Sequence, residues 1–330
     1  MIRFGVIGAG RIGKVHATTI AANPNAKLAY VADAFKASAE ELAARTGAEV
    51  AEAEDVIKSP NVDAILIATP TPGHADLIEA AARAGKAILC EKPVSLSVDR
   101  INACLEVVEK NRSTLMIGFN RRFDPNFASL EARLRRGDIG AIEIVTITSR
   151  DPAPPPAEYV KSSGGLFRDM MIHDFDMARF LVGEEFTVVN ALGSSLVDKA
   201  IGAEGDVDTA AVQMQTASGR IAVITNSRRA TYGYDQRIEV HGAAGMLAAK
   251  NIAATSVELS NANGVSGDPV QHFFLERYAQ AYANEINAFI EAINAGNPSP
   301  RPSGLDGLQA QKLAEAATVS WHTGRPVAVN

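Results

Sequence analysis

The first 33 residues constrain this chain more than any other stretch. An apolar run at 2–7 feeds the turn Gly8-Ala9-Gly10-Arg11-Ile12-Gly13, a helical stretch covers 12–22, and a second apolar run at 27–32 ends at Asp33. Glycines at this spacing, between a strand and a helix, serve distinct purposes. Gly8 allows a tight turn, Gly10 lets the main chain approach a phosphate, and Gly13 lets helix and strand pack closely. The helix start then presents N–H groups and a favourable dipole to an anion. Asp33 is placed to accept both hydroxyls of an adenine ribose, and its charge repels a 2′-phosphate. Ala34 follows it where NADP sites commonly carry Arg, although Lys36 lies close by. The stretch predicts a dinucleotide site for NAD ahead of NADP; the alternative is a structural turn with Asp33 as a surface cap.

Helical and strand patterns alternate onward. Residues 37–46 and 54–57 read as helices, and 63–68 (DAILIA) as a strand buried on both faces. Thr69-Pro70-Thr71-Pro72-Gly73 continues neither a strand nor a helix, so it loops at a strand's carboxyl end. A helix over 74–84, a strand over 87–90, the turn Glu91-Lys92-Pro93, a helix over 98–110 and a strand over 114–118 follow. This is the pattern of a doubly wound parallel α/β sheet, which binds ligands beyond its strands' carboxyl ends. Gly8–Gly13, Asp33, Thr69–Thr71 and Glu91–Pro93 are therefore expected to line one crevice.

The texture changes after Phe119. A helix over 126–136, a strand over 142–148 and a helix over 165–181 precede strand-like runs at 187–196, 209–216, 220–227, 237–241 and 246–249. Turns such as Ala217-Ser218-Gly219 join them, which implies an α+β domain on a large, mostly antiparallel open sheet. Helices over 274–294 and 305–323 close the chain. The expected domains are 1–119 and 120–330, with the C-terminal segment able to pack back on the first.

Lys92, Asp169 and His173 are the catalytic candidates. Asp169 and His173 stand four apart on one expected helix and so share a face, and a histidine held by carboxylates serves as a base near neutral pH. Lys92 leaves a crevice loop, where an ammonium would stabilise a forming alkoxide. Taken singly, each also fits a surface charge or a helix-face pair. No ligand-spaced cluster points to a metal.

Together these residues carry a resemblance. Gly8–Gly13 with Asp33, Glu91-Lys92-Pro93, and Gly164-Gly165 followed by Asp169 and His173 resemble, in order and spacing over essentially the whole chain, the glucose–fructose oxidoreductase/inositol dehydrogenase family. Three longer stretches are similar to the bacterial myo-inositol 2-dehydrogenases within it: Gly118-Phe119-Asn120-Arg121-Arg122-Phe123-Asp124, Thr148-Ser149-Arg150-Asp151-Pro152, and Asn226-Ser227-Arg228-Arg229-Ala230-Thr231-Tyr232-Gly233-Tyr234-Asp235. The resemblance implies His173 as general base, Lys92 as the substrate-contacting lysine that assists proton transfer, and Asp169 as the acid that orients hydroxyl and base. It implies polyol contacts from Arg122, Asp151 (where many relatives carry Asn) and Tyr278. It places NAD on Gly8, Gly10, Arg11, Ile12, Gly13, Asp33, Thr69, Pro70, His74, Glu91 and Lys92. The implied reaction is oxidation of myo-inositol to a 2-keto inositol by hydride transfer to NAD. Another inositol isomer or a pyranose sugar, and in a different class a non-catalytic dinucleotide sensor, are the alternatives.

Composition sets the remaining bounds. A net charge of −6 with no basic run argues against a nucleic-acid surface. Two cysteines, Cys90 and Cys104, make no disulfide framework, and no apolar stretch reaches the length of a membrane span. With no charged leader ahead of the first strand, a cytoplasmic protein is expected. An open sheet has two faces and neighbouring helices cover one, so the other calls for a partner; relatives pack these sheets into tetramers, which makes a homotetramer the expectation.

Overall fold

The computed structural model describes residues 1–329. They fall into two compact units: Met1–Phe123 with Ala281–Gln311, and Asp124–Gln280 with the residues from Lys312 onward. The division thus falls a few residues past the expected one, and a later segment returns to the first unit.

The first unit carries six parallel strands, β1 (Ile2–Ile7), β2 (Ala26–Ala32), β3 (Glu49–Val50), β4 (Ala64–Ile67), β5 (Ala87–Glu91) and β6 (Leu115–Gly118), in the order β3-β2-β1-β4-β5-β6. Between them run α1 (Arg11–Ala21), α2 (Lys36–Thr46), α3 (Ala53–Lys58), α4 (His74–Arg83) and α5 (Val98–Asn111). Every residue of β4 is buried, as its unbroken Ala-Ile-Leu-Ile run requires of a strand covered on both faces. Strand order reverses between β1 and β4, and that switch point puts the binding crevice at their carboxyl ends. Phe4, Val6 and Leu66 have no exposed surface in the core below it, each such side chain contributing about 1.5–3 kcal/mol by leaving water.

In the second unit α6 (Pro125–Arg136) opens with Asp124, whose carboxylate accepts the N–H groups of Asn126 and Phe127 at 3.1 and 3.2 Å, with Pro125 at the first helical position. Then come β7 (Ile142–Arg150), α7 (Ala157–Ser163), α8 (Gly165–Asp169), α9 (Ile172–Val182), β8 (Phe186–Ser194), α10 (Lys199–Ala203), β9 (Thr209–Thr216), β10 (Ile221–Ser227), β11 (Asp235–Gly242) and β12 (Gly245–Ala249). A hairpin, β13 (Glu258–Asn261) with β14 (Gly264–Gly267), and α11 (Phe274–Arg277) follow. Two long helices, α12 (Ala279–Asn294) and α13 (Gly304–Thr323), and the short β15 (Val327–Ala328) end the chain. The large sheet has the order β12-β11-β7-β10-β9-β8-β15. Its β7–β10 pair is parallel and its other neighbours are antiparallel. In β9 the alternation is strict: Ala210, Val212, Met214 and Thr216 are buried, and Ala211, Gln213 and Gln215 face out.

Two expected helices are broken. The stretch 165–181 stops at Asp169 and restarts at Ile172, because the His173 N–H turns back to Met170 O at 3.4 Å and not to Asp169. Buried Met170 and Met171 occupy the join. The helix expected over 274–294 is interrupted at Tyr278, whose φ of −112° and ψ of 14° leave the helical range. In α12, Ile286, Phe289 and Ile290 join Phe4 and Val6 in the first unit's core, with the Phe4 and Phe289 ring centroids 6.1 Å apart.

Candidate active site

The glycine turn in the first unit behaves differently at each position. Gly8 has φ +107°, and a Cβ there would lie 2.4 Å from Ala68 O; at Gly13 it would lie 1.9 Å from Gly8 O. Both must be glycine for the fold itself. At Gly10 a Cβ would meet nothing within 4 Å, so no internal packing explains that glycine. Gly10 is also the N-cap of α1, with no side chain capping it. An approachable main chain and an uncapped helix start suit a pyrophosphate.

Asp33 is anchored by main chain on both sides: Oδ2 accepts Ala9 N–H at 2.6 Å and Oδ1 accepts Phe35 N–H at 2.8 Å. The contact ties it to the glycine turn, and each oxygen keeps a further lone pair for a hydroxyl. Lys36 instead reaches along α2 to Glu40, 3.7 Å away.

Thr69 and Pro70 continue the chain beyond β4 into a short 3₁₀ turn, Thr71–Gly73, that leads into α4. Thr69 Oγ1 is buried without a hydrogen-bond partner. His74 is buried, with Nε2 2.7 Å from Thr69 O and Nδ1 2.8 Å from Pro93 O. Its ring thereby ties together the loops after β4 and β5, and both of its nitrogens are engaged by protein. Glu91 ends β5, its Oε1 2.7 Å from His16 Nε2 on α1; Lys92, half-buried, follows. Arg122 belongs to this unit too: it is buried in the 3₁₀ turn Asn120–Phe123 and donates to Asp306 Oδ1 at 2.9 Å.

In the second unit the break between α8 and α9 sets Asp169 at one helix's end and His173, half-buried, in the first turn of the next. Asp169 Oδ1 accepts the Tyr159 hydroxyl at 3.1 Å, and Oδ2 lies 3.6 Å from an Arg228 terminal nitrogen, an ion pair beyond hydrogen-bond length. Arg228 is 2% exposed. Beside His173, buried Asp174 accepts from the Asn226 amide at 2.9 Å. Asp151 leaves β7 with its N–H on Ser227 O at 3.0 Å, one residue from Arg228. Tyr278 is buried and donates to Gln236 Oε1, which Ser149 also reaches, at 3.2 and 3.0 Å. Its ring stands edge-on to Tyr234, centroids 5.9 Å apart.

The structure gathers the glycine turn, Asp33, Thr69, His74 and the Glu91–Pro93 turn at one end of the first sheet, and in the second unit it sets Asp169 beside Arg228, Asp174, the neighbour of His173, on Asn226, and Asp151 on Ser227. Arg228 and Asn226 lay inside a stretch already singled out, though nothing in their spacing marked them as supports of Asp169 and Asp174. Tyr159 and His16 carried no signal. Among the described residues no group of three or more His, Cys, Asp or Glu side chains is arranged to hold a metal ion, and no helix is long and apolar enough to cross a membrane.

Comparison with known proteins follows the same two parts. Residues 2–119 match the oxidoreductase family described as having an NAD-binding Rossmann fold, and residues 127–248 match the GFO/IDH/MocA C-terminal domain. An inositol 2-dehydrogenase of Rhizobium meliloti (strain 1021) is 54% identical over 328 residues, 99% of each chain. The crystal structure of a myo-inositol dehydrogenase from Corynebacterium glutamicum ATCC 13032 superposes with a TM-score of 0.96 at 44% identity, covering 100% of this chain and 99% of that one. That of scyllo-inositol dehydrogenase from Lactobacillus casei, with bound NAD(H) and scyllo-inositol, does so with a TM-score of 0.92 at 32% identity, covering 100% and 99%.

Proposed function

The chain belongs to the GFO/IDH/MocA oxidoreductase family, and we propose that it oxidises myo-inositol to 2-keto-myo-inositol with NAD, His173 serving as the general base. The observation that carries this reading is the likeness to the Rhizobium meliloti enzyme along nearly the whole of both chains. The first unit's residues fit the cofactor: Gly10 and the uncapped start of α1 for the pyrophosphate, Asp33 for the ribose, Thr69 Oγ1 with a hydrogen bond to give. Bound NAD supplies the acceptor for the hydride that leaves the carbinol carbon.

The chain's own residues handle the proton and the polyol. His173 takes the hydroxyl proton as the carbonyl forms. Asp169, steadied by Tyr159 and Arg228, orients that hydroxyl and the imidazole. The Lys92 ammonium offsets charge developing on the oxygen. Arg122 and Asp151 are assigned to inositol hydroxyls by resemblance. For Tyr278, the buried hydroxyl on Gln236 supports a positioning role between β11 and the substrate residues more than a direct contact. A ring of hydroxyls demands such a mixed set of donors and acceptors in place of one cationic clamp. His74 serves the cofactor through the two loops it ties.

The likeness to scyllo-inositol dehydrogenase supports a second reading, the same chemistry on another isomer. The test is NADH formation by the pure protein with NAD, and in parallel NADP, against myo-inositol, scyllo-inositol and glucose. Preference for myo-inositol with NAD is expected. Turnover confined to another polyol overturns the substrate, and preference for NADP overturns the role of Asp33.

Assembly into a homotetramer is part of the same proposal. Met246, Ile144, Ile221 and Val188 lie in one cross-strand row on the outer face of the large sheet, 52%, 40%, 36% and 37% exposed. Apolar side chains from four of the six strands that this row crosses, with His241 and Gln215 between them, support a face that a second copy covers. A light-scattering mass of one chain would sink it. The free, buried thiols of Cys90 and Cys104 support a reducing, cytoplasmic setting.

A further inference from the structure

A buried acid with no partner stands behind the Glu91–Lys92 turn. Glu285, on α12, has no exposed surface, and neither of its carboxylate oxygens has a hydrogen-bond partner. Glu91, at the end of β5, is the charged group that acts on it. Glu91 in turn is gripped by His16, which is 1% exposed and stands edge-on to Tyr282, one turn before Glu285 on α12, with ring centroids 5.3 Å apart. Across the β5–β6 pairing Glu91 faces Gly118, where a Cβ would come within 3.0 Å of the Glu91 carboxyl carbon. Glu91 is thus held between α1 and β6 at the mouth of the dinucleotide crevice, with α12 packed on the His16 that grips it.

Two carboxylates in a dry environment cannot both stay charged without partners. Glu91 has an imidazole and Glu285 has nothing, so the proton belongs on Glu285. Burial first, and then the Glu91 charge, push the Glu285 carboxyl well above the usual carboxylate range.

We propose that Glu285 is a positioning residue for the Glu91–Lys92 turn: as a neutral acid it backs Glu91 and leaves the charge on Glu91 alone, where His16 holds it. The inference rests on the reading that this turn serves the dinucleotide. Its consequence is a pH limit. When Glu285 ionises, two like charges face each other, Glu91 is driven from His16, and the crevice loses its shape.

The experiment is NADH binding, followed by nucleotide fluorescence, on the intact protein and Glu285→Gln from neutral pH into the alkaline range. At neutral pH the amide, matching a neutral acid in shape and charge, should bind within about twofold of the parent. With rising pH the parent should lose about tenfold in affinity, the equivalent of one pKa unit of coupling, while Glu285→Gln stays level. A tenfold loss in folded Glu285→Gln at neutral pH overturns the proposal, because a charged Glu285 would then be required. Parent and variant declining together overturn it as well. Glu285→Met is the second neutral replacement, and a chain that folds with neither overturns the neutral-acid assignment. No polyol is present in the measurement, so failure of the inositol reading leaves it untouched, and a level parent curve in an enzyme that still turns over inositol sinks only this inference.

Discussion

The two units hold their candidate site side chains by different means. In the first, main chain holds two of them: Asp33 rests on the N–H groups of Ala9 and Phe35, and His74 lies between the carbonyls of Thr69 and Pro93, while Glu91 and Arg122 rest on the His16 and Asp306 side chains. In the second, side chains hold side chains: Asp169 by Tyr159 and Arg228, Asp174 by Asn226, Gln236 by Ser149 and Tyr278. Main-chain groups are present whatever the residue, so a crevice made from them needs only a few glycines and one acid in a short stretch. That suits a cofactor common to many enzymes. A side-chain network needs particular residues from several strands at once, and changing any one alters the pocket. That suits the recognition of one polyol among isomers.

The contrast can be broken at four points. The largest effect is expected from His173→Ala, which should cut kcat by about a thousandfold, within the range for losing a general base, while NADH affinity stays within about twofold. Parallel loss of NADH affinity in a folded variant would mean the second unit's residues also serve the cofactor, and unchanged turnover would refute His173 as base. Next comes Gly13→Ala, which drives a methyl group against Gly8 O and should cost about 3 kcal/mol in denaturant unfolding. Arg228→Leu, which removes the buried cation beside Asp169, should cost about 2 kcal/mol of stability and lower kcat with little change in NADH binding. If it weakens NADH binding and spares kcat, the division of labour fails. Gly10→Ala should be the mildest for the fold, within about 0.5 kcal/mol of the parent, while weakening NADH binding about tenfold, or about 1.4 kcal/mol. An unfolding loss like that of Gly13→Ala would show that Gly10 too is there for packing.

The legible parts were those in which a short stretch carries its own reason. The strict alternation of 209–216 could hardly be other than a half-buried strand, and the four apolar residues of β4 announced a sheet covered on both faces. The helix over 165–181 misled because its polar and apolar residues fit one continuous spiral. The break at Met170–Met171 comes from burying both methionines, which depends on neighbours outside the stretch. Asp169 and His173 therefore stand on two different helices and do not share a helix face. The hairpin Glu258–Gly267 is exposed along both its strands, so it has no inside-outside alternation to read. His74, expected to touch the cofactor, has both ring nitrogens on carbonyls of loops 19 and five residues distant.

By itself the sequence determined the glycine turn after the first strand and the acid that ends the second, the change from parallel to mostly antiparallel sheet, and the residues that share a family's motifs, because each is written within a few neighbouring positions. Only the tertiary structure decided that Ala281–Gln311 returns to the first unit, that Arg228 and Tyr159 steady Asp169, and that Glu285 sits unpartnered behind Glu91. Amphipathic spacing states that a helix will bury a face. It does not state against what, and the charge a buried acid can keep is set by the groups it meets there.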